Sequence, residues 1–316
     1  MDNHIKTSMN GGGLTVVVSG PVLGTDDDKS KYTRLSCESV RKMLPDAELI
    51  LSTWQGENTD GISYDVLIKS NDPGHNEGNV NRQICSRLAG IKRATNDVLL
   101  CIRSESEIKR LDFMDYLDKY DKHSDKFNFL KNRIVIPATY PASRGELFHL
   151  GDWYFFGYKD DLLAFWDLPY MKDELFNKDT DDLLYNPHRY LITTFVRKFY
   201  PLKFYKNEDV TEENKRIYEN VIADNFVVTG FYEYGIESLK YPLSHRFFNK
   251  LFHKEVGYTF CEWEELYNKY SGGNLEIHKS FYERFMIDIC VPLKRSKVGQ
   301  IFFRIRRKIF KLEYWE

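Results

Sequence analysis

Three short segments gather side chains that could do chemistry. The first is Asn71-Asp72-Pro73-Gly74, which runs through a polar loop into Asn79-Val80-Asn81-Arg82-Gln83. A Pro-Gly turn followed by a helix opening near Asn79 to Asn81 leaves backbone amides beside a cation, an anion site by construction. Arg82 brings a planar fork of donors suited to phosphate, and Gln83 or Ser86 could read a base or ribose. The competing reading is a surface helix with Arg82 solvated.

The second segment is Arg103-Ser104-Glu105-Ser106-Glu107, directly after the apolar run Leu99-Leu100-Cys101-Ile102. Carboxylates at i and i+2 beyond a strand can grip Mg²⁺ or Mn²⁺, with a diphosphate supplying further oxygens, and such a metal neutralises a departing nucleoside diphosphate. A solvated acidic loop has the same composition. The third is Gly151-Asp152-Trp153-Tyr154-Phe155-Phe156-Gly157, one acid among aromatics. Partial desolvation there is expected to raise the Asp152 pKa toward the range useful to a general base, with Trp153 and Tyr154 as faces on which a sugar stacks. A turn Asp beside a core hairpin is the alternative.

These segments need a scaffold, and short apolar runs alternating with amphipathic stretches predict one. Strands are expected at Leu14 to Ser19, Glu48 to Ser52, Asp65 to Lys69, Asp97 to Arg103 and Arg133 to Thr139. Helices are expected at Lys31 to Lys42, closed before Pro45, and at Asn79 to Ala94. Several strands end in polar residues, such as Ser19-Gly20 and Ser52-Thr53-Trp54, where an open α/β sheet carries its ligand crevice. Beyond about Pro169 the chain becomes rich in Phe, Tyr, Lys and Asn, with helical patterns at Pro187 to Tyr200 and Glu212 to Ala223.

Composition narrows the class. With 42% hydrophobic residues in 316 the chain closes a real core, and a formal net charge of -2 argues against a generic nucleic-acid binder. Five scattered cysteines, without a CxxC pair, fit a reducing compartment rather than a disulfide framework or zinc knuckle. The polar stretch Met1 to Gly13 does not resemble a secretory signal, and an apolar run of about 18 residues is lacking. The tail after Pro292 carries Lys294, Arg295, Lys297, Arg304, Arg306, Arg307, Lys308 and Lys311 around an apolar stripe at Val298, Ile301, Phe302, Ile305, Ile309 and Leu312. That pattern predicts a helix lying on an anionic bilayer, against a basic helix docked on the protein's own core.

Taken in order, Val16-Val17-Val18-Ser19-Gly20-Pro21, Leu49-Ile50-Leu51-Ser52-Thr53-Trp54-Gln55-Gly56, Asn71-Asp72-Pro73-Gly74, Asn81-Arg82-Gln83-Ile84, Ile102-Arg103-Ser104-Glu105 and Gly151-Asp152-Trp153 with Phe156-Gly157 resemble the WavE-type lipopolysaccharide synthesis family. The resemblance covers roughly residues 14 to 240. It implies a GT-A-like glycosyltransferase with a single Rossmann-type, mostly parallel sheet and helices on both faces, building outer core, O-antigen or capsule. Glu105 departs from the family pattern, which reads Arg-Ser-Asp or Arg-Thr-Asp.

On this reading Ser19, Gly20, Trp54, Asp72, Asn81, Arg82, Gln83 and Arg103 hold a nucleotide-sugar donor. Glu105 and Glu107 hold Mn²⁺ or Mg²⁺, and Asp152 deprotonates a lipid-linked or oligosaccharide acceptor, with Glu146 the next candidate base. The expected organisation is a flexible N-terminus at 1–13, a catalytic domain at 14–240, a helical extension at 241–292 and a membrane-associating tail at 293–316. The expected location is cytoplasmic, peripheral at the inner face of the bacterial inner membrane. Transfer of a polyol-phosphate group from a CDP-linked donor, and a non-catalytic scaffold of polysaccharide assembly, stand as alternatives.

Overall fold

A computed structural model describes residues 13–75, 77–137, 147–172, 187–205, 209–229, 235–240, 258–285 and 288–289. The expected base Glu146 and the basic tail from residue 293 lie outside the described residues.

Val16, Val17 and Val18 of strand β1 (Leu14–Ser19) are all fully buried. A strand covered on both faces reads as a continuous apolar run rather than an alternation, which is why β1 is legible locally. Beside it lie β2 (Glu48–Trp54), β3 (Val66–Ser70) and β4 (Val98–Arg103), all parallel. Three more strands, β6 (Ile134–Ile136), β7 (Tyr154–Tyr158) and β8 (Phe226–Val228), complete a seven-stranded sheet in the order β3-β2-β1-β4-β7-β6-β8. Strand β7 runs antiparallel to both β4 and β6. A separate ribbon pairs β5 (Ser106–Ile108) with β9 (Ile236–Ser238).

Helix α1 (Lys31–Met43) follows β1 and α2 (Val80–Arg93) follows β3. The chain steps outward from β1 to β3 and then returns across β1 to β4, so right-handed crossovers place α1 and α2 on opposite faces. The expected α/β class, mostly parallel with both faces covered, is the observed one. Gly90 lets α2 lie close on β1, since a Cβ there would stand 2.2 Å from Val17 Cγ1.

The later helices are α3 (Lys159–Trp166), α4 (Pro187–Arg197), α5 (Glu212–Asn225), α6 (Phe260–Tyr270) and α7 (Phe281–Phe285). Thr259 and Glu262 close a capping box at the start of α6, satisfying two otherwise orphaned amides. Tyr120 packs edge-on against Trp263 and Tyr267 of α6, with ring centroids 4.7 and 5.0 Å away. Behind these rings the buried Arg133 donates from Nε to the Ala223 carbonyl at 2.7 Å, from Nη1 to the Tyr120 carbonyl at 2.7 Å, and from Nη2 to the Lys122 carbonyl. Asp224, fully buried at the end of α5, accepts from the Ser124 amide at 2.9 Å and from Ser271 Oγ at 2.7 Å. Among the described residues no helix is long and apolar enough to cross a membrane.

Candidate active site

Parallel register sets Ser19 beside Ser52 on one side and beside Arg103 on the other, at the carboxyl edge of the sheet. Ser19 Oγ donates to the Ile102 carbonyl at 3.2 Å, which leaves the chain free to turn at Gly20. Gly20 has φ 129°, a left-handed conformation that favours glycine, and a Cβ on it would stand 3.0 Å from Ser104 Oγ. Ser104 Oγ in turn donates to the Pro21 carbonyl at 2.7 Å, so the loops leaving β1 and β4 are tied together.

The reversal of direction at β7 builds the rest of the site. Because Ile102 pairs with Tyr154, the residues just before β7 meet those just after β4. Arg103 Nε lies 2.9 Å from Glu105 Oε1, and Arg103 Nη1 lies 3.8 Å from Asp152 Oδ1. The two acids are buried, at 5% exposure for Glu105 and 3% for Asp152, whereas the Arg103 side chain is 39% exposed. Arg103 therefore bridges buried carboxylates to the open edge.

Under this cluster lies Arg87 of α2, 1% exposed. Its Nη2 donates to the Asp152 carbonyl at 2.5 Å, and its guanidinium sits over the rings of Phe155 and Trp166, 5.2 and 4.6 Å from their centroids. Burial by itself would push the Asp152 carboxyl up. The positive fields of His188, Arg103 and Arg87, with a hydrogen bond from Gln83, outweigh it and hold the pKa at about 2. The expected upward shift is thus reversed, because Asp152 is desolvated among cations rather than among aromatics alone. Burial pulls the Arg87 guanidinium down to about 10, still charged at neutral pH.

Other expected site residues take different places. Arg82 does not stand as a solvated cation beside bare amides. Its Nε and Nη2 form a fork on the two oxygens of Asp72, at 2.8 and 2.5 Å, while Asp72 Oδ1 also accepts the Gly74 amide at 3.0 Å. This pair clips the 71–74 turn onto α2, which opens from two left-handed residues, Gly78 and Asn79, without a side-chain cap. Asn81 is buried and exchanges hydrogen bonds with the Met171 backbone at 2.9 and 2.7 Å. Gln83 donates to the Gly78 carbonyl at 3.1 Å. Trp54, expected to hold the donor, is buried at the end of β2; Tyr154 is fully buried with its hydroxyl 2.6 Å from Thr229 Oγ1, so it offers no open stacking face, and Trp153 is half-buried.

The carboxylates expected to hold a metal are each matched to a cation, Glu105 to Arg103 at 2.9 Å and Glu107 to Lys109 at 2.6 Å. Among the described residues no three His, Cys, Asp or Glu side chains converge on a metal position. This donor set does not fit a dedicated protein-built metal site.

Two members of the cluster escaped the sequence reading. His188 comes from a distant helix, packed ring to ring on His149 at 4.7 Å, and nothing local marks it. Arg87 had a signal: Val80, Ile84, Arg87 and Ile91 recur at three- and four-residue steps, which sets an arginine on the core face of α2.

A family model described as WavE lipopolysaccharide synthesis matches residues 14–297. The comparison with curated proteins finds no match. Among solved structures, the crystal structure of HddC from Yersinia pseudotuberculosis is similar at 14% identity with a TM-score of 0.29, over 50% of this chain and 80% of that one.

Proposed function

Since this chain belongs to the WavE lipopolysaccharide synthesis family, we propose that it is a glycosyltransferase that moves a sugar from a nucleotide-sugar donor to a lipid-linked or oligosaccharide acceptor of lipopolysaccharide assembly. The observation that carries the reading is the meeting of Ser19, Arg103, Glu105 and Asp152 at the edge where parallel β4 adjoins antiparallel β7. The donor lies over the β1 and β4 loops, where ligands sit in open α/β sheets. Arg103, whose side chain is partly exposed, turns its guanidinium to the diphosphate and stabilises the charge that develops on the leaving group.

Asp152 accepts the proton of the attacking hydroxyl as the new C–O bond forms and the bond to the nucleotide breaks, with inversion at the sugar carbon. A carboxylate held at about 2 is a weak base toward a resting alcohol. In an oxocarbenium-like transition state, however, the attacking oxygen becomes strongly acidic as it bonds to carbon, so an ionised carboxylate suffices. The same low pKa keeps Asp152 ready at every neutral pH. No step is routed through a metal. We place the protein at the inner face of the inner membrane through the basic run Lys294 to Lys311, which carries eight Lys and Arg side chains without an intervening acid.

Melting the protein with UDP, GDP, CDP or ADP, each with Mg²⁺ or excess EDTA, tests this. At about a hundredfold excess over Kd a specific ligand stabilises by about 2.7 kcal/mol. One nucleotide is expected to raise the melting temperature, in EDTA as in Mg²⁺, and to lose that effect in Arg103→Ala. If no nucleotide shifts the melt, the donor reading fails. If the shift needs Mg²⁺, Glu105 exchanges Arg103 for a metal that the diphosphate brings.

A further inference from the structure

A buried cation destabilises a fold unless it is paired and hydrogen-bonded. Arg87 meets that condition only in part. One nitrogen, Nη2, bonds to the Asp152 carbonyl, while Nη1 is buried without a hydrogen-bond partner. Among the charges around it, the carboxylates of Asp152 and Glu105 favour the cation while Arg103 opposes it. Aliphatic residues of similar volume would fill the slot between Phe155 and Trp166 without that cost, so packing does not explain an arginine here.

We propose that Arg87 is a positioning residue for Asp152, which fixes the backbone of that residue from beneath and supplies a permanent counter-charge from the core. The consequence concerns Arg103, which serves Glu105 and Asp152 at once. When Arg103 swings to a phosphate-bearing ligand, Asp152 loses its solvent-side cation. Arg87 cannot leave, because its guanidinium is buried against Phe155 of β7 and the ring of Trp166. The carboxylate thus stays ionised and in place while the mobile cation is given to the ligand. The inference rests on the proposed role of Asp152, but the counter-charge itself is measurable without turnover.

The groups around Asp152 are Gln83 and Arg87 from α2, Arg103 from the end of β4, Glu105 beyond it, and His188 from α4. The test follows the ¹³C carboxyl resonance of Asp152 in the full chain, assigned with Asp152→Asn, between about pH 7 and pH 3. Wild type and Arg87→Lys are expected to stay ionised over most of that range. Arg87→Gln and Arg87→Met are expected to titrate about 1 to 3 units higher than wild type, the shift a buried opposite charge produces. With a nucleotide that raises the melting temperature bound, the gap between wild type and Arg87→Gln is expected to widen.

An unchanged Asp152 titration in folded Arg87→Gln overturns the proposal and leaves Arg87 a core brace. Should both neutral variants fail to fold, Arg87→Lys decides alone. Its charge is kept and its fork lost, so a lower kcat at unchanged donor KM supports positioning, and an unchanged kcat overturns it. If Asp152→Asn still transfers sugar, the catalytic role falls while the titration result stands.

Discussion

Arg87 and Arg133 are both buried, and burial pulls both guanidinium groups down to about 10, yet the two regions use the charge differently. Arg133 donates to three carbonyls from two places in the chain, Tyr120 and Lys122 in one loop and Ala223 in α5, and rests its face 5.0 Å from the Tyr267 ring. It is a tie for the C-terminal helices, with each of its donor nitrogens engaged. Arg87 makes one carbonyl bond, to Asp152, keeps one nitrogen unpartnered and bears on the pKa of that residue's buried carboxylate. A buried cation with every nitrogen bonded to backbone holds a fold, whereas one left partly unsatisfied beside a titratable group marks a candidate site.

Four perturbations break or sharpen that contrast. The largest effect is expected from Asp152→Asn, which removes the proposed proton acceptor. Transfer should fall by about 10² to 10⁴ while nucleotide binding persists, and single-turnover rates with a radiolabelled donor read this directly; near-normal transfer moves the base elsewhere. Next comes Arg133→Met. It strands three carbonyls, and breaking a buried charged network costs about 3 to 5 kcal/mol. Urea unfolding should show that loss, with activity per folded molecule unchanged; a stable but inactive variant would erase the distinction between the two arginines.

A smaller effect concerns acid. The folded Asp152 carboxyl at about 2 lies below its unfolded value of about 3.9, so its contribution is complete above the unfolded value and is lost as pH falls through the folded one. It amounts to about 2 kcal/mol, and Asp152→Asn should flatten the pH dependence of stability between about pH 5 and pH 2 by that much. An equal slope in both proteins would mean that the cations around Asp152 do not depress it. The smallest effect belongs to Arg82→Ala. The Arg82–Asp72 pair is partly exposed and is worth at most about 1 kcal/mol, so urea unfolding should show no larger loss, and with Arg82 engaged by Asp72 its removal should change nucleotide affinity little by isothermal titration. A tenfold loss would return Arg82 to the donor site.

The parallel half of the fold is legible locally. Short apolar runs announce β1 to β4, and α1 and α2 follow the amphipathic stretches between them. Strand β7 is harder, because Tyr154-Phe155-Phe156-Gly157-Tyr158 fits a core hairpin as readily as a sheet strand, and only its antiparallel pairing with β4 brings Asp152 to Arg103. The expected strand at Arg133 to Thr139 contains β6, whereas β8 and the β5–β9 ribbon carry too few residues to show a period. At the site the residue types were readable and the electrostatics were not. Asp152 reads as an acid among aromatics, yet the groups that decide its pKa come from α2, β4 and α4. Arg82 shows the converse, since its neighbour Asp72 was in view and the ion pair between them still went unread.

Gly90 touches none of the charged groups, yet it sets where one of them sits. It lies three residues beyond Arg87, within a turn on the same helix, and the hydrogen it carries in place of a methyl is what lets α2 settle onto Val17. Helix depth and the reach of the Arg87 guanidinium to Asp152 are therefore one variable. Any bulk introduced at that contact jacks the helix outward and lengthens the gap between cation and carboxylate without altering either. The strength of the field at the Asp152 carboxylate is thus governed by backbone clearance, and it can be tuned from a position packed against the core of the sheet.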